Sequence, residues 1–474
     1  MMTKILLKSG KIITASDTFV GDILIEGEKI HAIGKNLQPD SETDVIDVSG
    51  KFITPGGVDV HTHFDLPMFG TVSSDDHYSG HKAAAFGGTT TVFDFISQDE
   101  PSLAKCVEKW HNKADAKAAI DFGFHMNITD FSEQTAREIP ALRELGINSL
   151  KVFTAYNGRL RLSDGDIFQV LRIANNNKML VMVHAENGDV IDILINEALQ
   201  AGHTTPEWHA RTRPADGAVE SDFRAIQLAK QAGAALYIVH MNTAGGVRVL
   251  KQAREAGLPV MGETCPPYLF FTIDDLKKPD GAKWICSPPM RSKEDNQEIM
   301  KYLGQSILQV IATDHCPFFY DGTKPILYEG EEIMIPGKEL GKDDFTRIPN
   351  GLPGVGDRMV VMWNYAVRKN YLTPQQFVAT HCTNPARIFG IYPQKGTLMP
   401  GSDADVVIWN RDNPIQYGIQ YAQHRTDYNL FEGWEMQDTI QSVFLRGKRI
   451  VENNTWLGNK GQGKYLSCKD PEVL

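Results

Sequence analysis

Apolar and polar positions along this chain follow two different rhythms. In the first fifty residues, short β-rich runs (4–14, 22–25 and 29–33) are separated by glycine turns such as Ser9-Gly10 and Gly27-Glu28. The same rhythm returns near the other end, in 404–409 (ADVVIW) and 439–451 (TIQSVFLRGKRIV). Both ends are therefore expected to build one small β domain together. Between them, runs rich in β-branched residues (56–63, 89–95, 121–128, 149–156, 180–186, 235–241, 259–265 and 309–315) alternate with helix-periodic stretches such as 102–119, 133–145, 164–177 and 220–232. Eight β-then-α units in about 300 residues predict an α/β fold with a TIM-like (β/α)8 barrel. A doubly wound sheet rarely needs eight parallel strands. The expected division is 1–54 for the first part of a β-sandwich, 55–395 for the barrel, 396–452 for the second part of the sandwich and 453–474 for a tail.

Three stretches break the regularity. Residues 68–77 form a long loop after the first strand, and 318–353 a longer one after the eighth, rich in Gly and Pro with an acidic centre at 329–332. Long loops at one barrel mouth usually carry function. The tail is polar with Gly and Lys; it is either loose or packed on a neighbouring subunit.

Composition narrows the function. The 474 residues carry 48 basic and 59 acidic side chains, a formal net charge of -11 with no basic tract, which argues against a nucleic-acid partner. No apolar run approaches the roughly 20 residues that span a bilayer. The start, MMTKILLKSGKIIT, alternates like a strand and lacks a signal-peptide core. Six cysteines without a C-x-x-C pair point to a reducing compartment, the cytoplasm. The fourteen histidines carry the chemistry.

In such a barrel the catalytic groups sit at the C-terminal ends of the strands. Strand one ends in His61-Thr62-His63, strand four carries Lys151 and ends at Tyr156, and strands five, six and eight end near His184, His240 and Asp314. His61 and His63 are two apart on a strand, so they share a face and can grip one divalent ion. Lys151 lies in the apolar run SLKVFTAY, where an ammonium is costly. Two readings of it stand: an ion pair with a buried acid, or a carbamate whose two oxygens each bind one metal.

The segments GVDVHTHFD, KVFTAY, VHAEN, IVHMN and ATDHCPF, together with ETCPPYL, SPPMR, PNGLPGV and TNPARIFG, occur in the order found in the dihydropyrimidinase/hydantoinase family of cyclic amidohydrolases, which this chain resembles along its whole length. The resemblance implies a TIM-like barrel with a β-sandwich, usually in a homotetramer. It implies two divalent ions, by default Zn2+, bridged by N6-carboxylysine at Lys151 and a hydroxide. His61, His63 and Asp314 would hold the more buried ion, and His184 and His240 the more exposed one. It also implies attack on a ring carbonyl, with Asp314 moving the proton and Tyr156 stabilising the oxyanion, while the backbone at Ser287 and Asn350 binds the substrate's amide edges. Plain turn chemistry beside Pro and Gly predicts the same residue types at Ser287 and Asn350.

The departures from the family pattern concern the rim. The loop after Tyr156 reads NGRLRLSDG, the insertion at 323–338 is large, and Gly356 stands where an acidic residue is common. Leu66, Met68 and Phe69, with Asn157, Arg159 and Arg161, are expected to line the pocket for an exocyclic substituent. An inward Arg would favour an acidic group, whereas outward ones leave an apolar wall, which is the preferred reading. His77, His81, His203 and His209 read as surface or structural, and His125 as a residue behind the ligands. The expected substrates are small cyclic ureides or imides, dihydropyrimidines and 5-substituted hydantoins first. Allantoinase or dihydroorotase chemistry is the nearby alternative, and a non-catalytic scaffold relative the distant one.

Overall fold

The structure, a computed structural model, describes residues 4–68 and 70–474; Phe69 lies outside the described residues. All eight expected barrel strands form. They are β1 (Gly57–Thr62), β2 (Thr89–Ile96), β3 (Asp121–Asn127), β4 (Ser149–Phe153), β5 (Leu180–His184), β6 (Leu236–Ile238), β7 (Val260–Thr264) and β8 (Val310–Ile311). They pair in parallel, in chain order. A bridge between Thr62 and His315 joins the ends of the series, with the His63 amide donating to the His315 carbonyl at 2.8 Å. Lower down, buried Asp59 accepts from the Thr313 hydroxyl at 2.6 Å, a second tie between the first and last strands.

Helices follow the strands because the connecting loops end in residues that can cap them. Asp76, Ser102, Ser132, Ser163, Thr243 and Ser292 each accept a hydrogen bond from a backbone N–H in the first helical turn, typically worth about 1 kcal/mol per cap. The helix over Leu103–Ala114 then buries Leu103, Cys106, Val107, Trp110 and Ala114 against the barrel, a spacing of three and four. The expected helix at 133–145 is split: an α-helix over Glu133–Glu138 tightens into a 3-10 turn over Ile139–Arg143, where Pro140 removes a backbone donor.

Inside the barrel, Val58, Val60, Phe93, Phe95, Met182 and Tyr237 fill the lower layers. Phe389 packs tilted against Phe93 and His125 and edge-on against Tyr237 as a plug. The tail passes beneath: Phe122 donates to Lys464 and accepts from Leu466, and Cys468 donates to Gly146. With the bottom closed in this way, a substrate reaches the interior from the opposite end.

The two chain ends meet in one nine-stranded sheet. Strand Lys4–Ile13 changes partner midway, running parallel to Thr43–Asp47 in its first half and to Phe52–Pro55 in its second. Phe52–Pro55 pairs antiparallel with Val406–Asn410, which joins the N-terminal strands to the C-terminal ones.

Candidate metal centre

The inward aim of His61 and His63 depends on an irregularity. In the β1–β2 register Val58 faces Thr91, Asp59 faces Val92 and Thr62 faces Asp94, so Val60 and His61 together oppose Phe93. This is a β-bulge, which resets the alternation. Below it Val58 and Val60 point into the barrel; without it the alternation would carry Thr62 inward next and turn the two histidines towards the helices. Their Nε2 atoms instead lie 3.1 and 3.0 Å from Asp314 Oδ1. Buried Glu263, on β7, fixes the ring of His61 by accepting from its Nδ1. The same carboxylate accepts from the Tyr237 hydroxyl at 2.8 Å and from the His240 amide at 3.2 Å.

Across the mouth, His184 Nδ1 and His240 Nε2 face each other at 3.0 Å. Buried Glu186 holds His184 from behind, its Oε2 lying 2.8 Å from Nε2. Lys151 is buried between the two groups. Its ammonium lies 4.8 and 5.4 Å from the ring centres of Phe95 and Phe153, and among the described residues it forms no ion pair. Burial draws its pKa down to about 8, against the pull of Asp314 and Glu263.

Three site residues depart from strand geometry. Tyr156, His240 and Asp314 have φ of 68°, 39° and 52°, in the left-handed region that costs non-glycine residues energy. Strand β4 stops at Phe153 and β8 at Ile311, so Tyr156 and Asp314 lie beyond the regular strands in which the sequence placed them. Strain of this kind persists where the surroundings over-determine it, and here it turns three functional groups towards one space. Burial, reinforced by the nearby Glu186 charge, raises the Tyr156 phenol above its ordinary value, so it stays a donor at neutral pH.

The residues enclose a cavity of about 180 Å3. Leu66, Met68, Phe153 and Leu160 form its apolar wall, with the exposed Arg159 beside them. Arg161 turns away to pair with Asp189, and the Asn157 amide donates to Asp189 and Asp192; neither residue lines the cavity. On the opposite rim the Asn350 amide donates to the Ser287 hydroxyl at 3.0 Å, and both line the cavity. His209 is buried behind them, bonded to the Cys286 carbonyl at 2.8 Å. His125 lies lower in the barrel, between Ser149 Oγ and the Val60 carbonyl.

Sequence reading passed over Glu186, Glu263, Phe153 and the part played by His209. An acid inside the buried run PVMGETC was a usable signal for Glu263. His209 faces Arg213 one helical turn on, but the partners that set it behind the rim are 77 and 78 residues away and leave no local mark.

The donors suit divalent cations. Candidate ligand atoms of His61, His63 and Asp314 all lie within 4.8 Å of one another. Burial opposes a charged imidazole at His61, yet Asp314 and Glu263 hold its pKa up at about 9, so the site favours positive charge there. Among the described residues the buried His63 Nδ1 has no hydrogen-bond partner, and His184 and His240 present nitrogen to nitrogen. Imidazole and carboxylate donors of this kind suit zinc and its neighbours.

Comparison with known proteins agrees with this geometry. The amidohydrolase family model matches residues 52–450. D-hydantoinases from Streptomyces coelicolor and Geobacillus stearothermophilus are 41% and 43% identical over 472 residues, each alignment covering 98% of this chain and 98% and 96% of those proteins. The crystal structure of dihydropyrimidinase from Brevibacillus agri superposes with a TM-score of 0.94 at 42% identity, over 100% of both chains. The chain belongs to the amidohydrolase family, in its dihydropyrimidinase/hydantoinase branch.

Proposed function

We propose that this hydrolase of cyclic amides opens the ring of dihydropyrimidines and 5-substituted hydantoins to give N-carbamoyl amino acids, using two divalent ions at the barrel mouth. The observation that carries this reading is the convergence of two donor groups, His61, His63 and Asp314 on one side and His184 with His240 on the other, about a buried lysine that forms no ion pair among the described residues. The first group would hold the more buried ion, the second the more exposed one, and Lys151, as a carbamate, both. Bound there, the ions, zinc by default, would supply water of lowered pKa and polarise the ring carbonyl.

The protein's own groups do the rest. A carboxylate oxygen of Asp314 takes the proton of the attacking water and returns it to the leaving ring nitrogen. The Tyr156 hydroxyl donates to the developing oxyanion. Ser287 and Asn350 receive the amide edges of the ring, which fixes the carbonyl towards the metal side. Leu66, Met68, Phe153 and Leu160 exclude water from the substituent's side.

Cytoplasmic residence and a homotetramer belong to the same reading. Six buried free cysteines support the reducing compartment. Light scattering of the purified protein checks the tetramer.

The decisive assay offers dihydrouracil, hydantoin, both enantiomers of phenylhydantoin, allantoin and dihydroorotate to the zinc-loaded protein. Turnover of hydantoin or dihydrouracil, with the last two untouched, is expected. Turnover of allantoin or dihydroorotate alone would overturn the substrate reading. Phenylhydantoin should be preferred over carboxymethylhydantoin. Arg159→Ala should widen that preference, since it removes the cation that tolerates a carboxylate; no change would place the substituent elsewhere.

A further inference from the structure

The long segment after β8 rises from the barrel as an exposed hairpin, Ile326–Tyr328 paired with Glu331–Ile333, and then returns to the interior. Its neck is pinched at Gly337, where a Cβ would fall 2.0 Å from the Phe319 carbonyl oxygen; the next amide, of Lys338, donates to that oxygen at 2.7 Å. The turn thus delivers the Lys338 side chain into the protein, where it is 1% exposed. Among the described residues it meets no carboxylate. Its Nζ donates instead to two backbone carbonyls, Ile285 at 3.0 Å and Pro349 at 3.1 Å.

Those two carbonyls belong to the rim segments that carry Ser287 and Asn350. The Gly351 amide also donates to the Ile285 carbonyl, at 3.1 Å, and the Asn350 amide to the Ser287 hydroxyl. Lys338 is therefore the third tie between the two segments and the one supplied from outside them. A buried amine is a costly way to fill space, and an aliphatic residue would do that at lower cost. What the amine adds is two directed N–H donors on carbonyls that lie 64 residues apart in sequence. Burial draws its pKa down to about 7, so a neutral amine, with enough hydrogens for both carbonyls, is well populated at neutral pH.

We propose that Lys338 is a positioning residue for substrate binding: by tying the Ile285 and Pro349 carbonyls together it holds Ser287 and Asn350 at the spacing that receives the two amide edges of the ring. This assigns a task to the 323–338 insertion, which brings the lysine in, and it rests on the reading of Ser287 and Asn350 as substrate contacts.

The test replaces Lys338 with Met, which keeps the length and removes the donors, and with Gln, which keeps one donor. Each purified variant is assayed on hydantoin alongside its metal content and melting temperature. Lys338→Met is expected to raise KM about tenfold, as loss of roughly one hydrogen bond's worth of binding would, with Lys338→Gln in between and with kcat and metal content close to those of the parent. A folded, metal-loaded Lys338→Met with unchanged KM would overturn the proposal, as would a variant that loses only melting temperature. If Met prevents folding, the same two outcomes are read from Gln. A zinc-loaded parent protein that leaves hydantoin, dihydrouracil and phenylhydantoin all intact would instead bring down the functional reading beneath it.

Discussion

Lys395 and Lys151 are both buried, at opposite ends of the barrel, in opposite electrostatic settings. Lys395 sits where the base of β3 meets the β domain, with Asp121, Asp403 and Asp405 within 3.0 Å. Arg446, from the hairpin of the β domain, also pairs with Asp121. There the charges compensate one another and lock two parts of the chain together. At the mouth, Lys151 lies against aromatic rings with no carboxylate in pairing range among the described residues, and its pKa falls to about 8. One lysine has been given the partners that make it a strut; the other has been denied them, which leaves its amine available as a neutral nucleophile for carbon dioxide.

The contrast breaks most sharply under the same substitution at both ends. Lys395→Met takes away the cation shared by three buried carboxylates, leaving Asp121 to Arg446, Asp403 to Lys29 and Asp405 with none among the described residues, and should cost about 3–5 kcal/mol of stability. Lys151→Met removes a buried charge that has no paired carboxylate among the described residues, so the metal-free protein should unfold within about 1 kcal/mol of the parent. That variant should nevertheless bind fewer ions and lose turnover, and short carboxylic acids added to Lys151→Ala should restore part of it. Denaturant unfolding with metal analysis checks both halves. Two tightly bound ions in Lys151→Ala would refute the bridging carbamate.

Asp314 sharpens the comparison from the acidic side. The carboxylates around Lys395 accept from a cation that stays put, whereas Asp314 faces His61 and His63 at the open end, where a proton has somewhere to go. Asp314→Asn keeps the shape and removes the ability to take up a proton. The expected loss in kcat is about 10²–10⁴-fold, with an unchanged circular dichroism spectrum. Retained turnover at full metal content would assign the proton to another group.

The difference between the two ends also explains what the sequence made legible. The barrel strands could be read off because β-branched runs and helix spacing are local properties, and each run does become a strand. His61 and His63 share a face as their spacing requires, but which face depends on the bulge opposite Phe93, and nothing in GVDVHTH announces it. The left-handed turns at Tyr156, His240 and Asp314 are equally silent, because they are held by tertiary packing and carry no glycine to betray them. The helix expected at 133–145 and the ends expected for β4 and β8 overrun the observed elements for the same reason: periodicity continues where hydrogen bonding stops. Arg159 and Arg161 alternate identically in sequence, and the acceptors Asp189 and Asn157 take the second out of the cavity. Compensating partners such as Lys395 and Asp121, 274 residues apart, lie beyond any local pattern.

A smaller effect tests whether each group of ligands has its own support. Glu263 serves His61 and the backbone of His240, while Glu186 serves His184 alone among the histidines. Glu186→Gln should therefore weaken one ion selectively, by about 10–100-fold in affinity, and leave the other in place. Competition with a chelator, followed by counting ions per chain, gives the answer. Parallel loss of both ions would show that the groups are coupled through His240 rather than independently held.

The smallest expected effect concerns Lys338, which stands between the two extremes: buried and without an acid, like Lys151, yet fully hydrogen-bonded, as Lys395 is. Its pKa is drawn down to about 7 in the folded protein from an ordinary lysine value of 10.5. Below pH 7 both folded and unfolded chains carry the proton, and the cost of burying the charge is paid in full. Between pH 7 and about 10.5 the unfolded chain binds more protons, so this residue's contribution to stability rises with pH, by at most about 1.4 kcal/mol per unit. Cys286, whose thiol burial lifts to about 12, and Cys316, raised well above its usual value, titrate in the unfolded chain within this window, but the parent and Lys338→Met both carry them and their contribution cancels in the difference. Subtracting the pH–stability curve of Lys338→Met from that of the parent should leave a slope that climbs from pH 7 to 10. A flat difference would mean that the lysine keeps its charge throughout, held by the Ile285 and Pro349 carbonyls strongly enough to offset its burial.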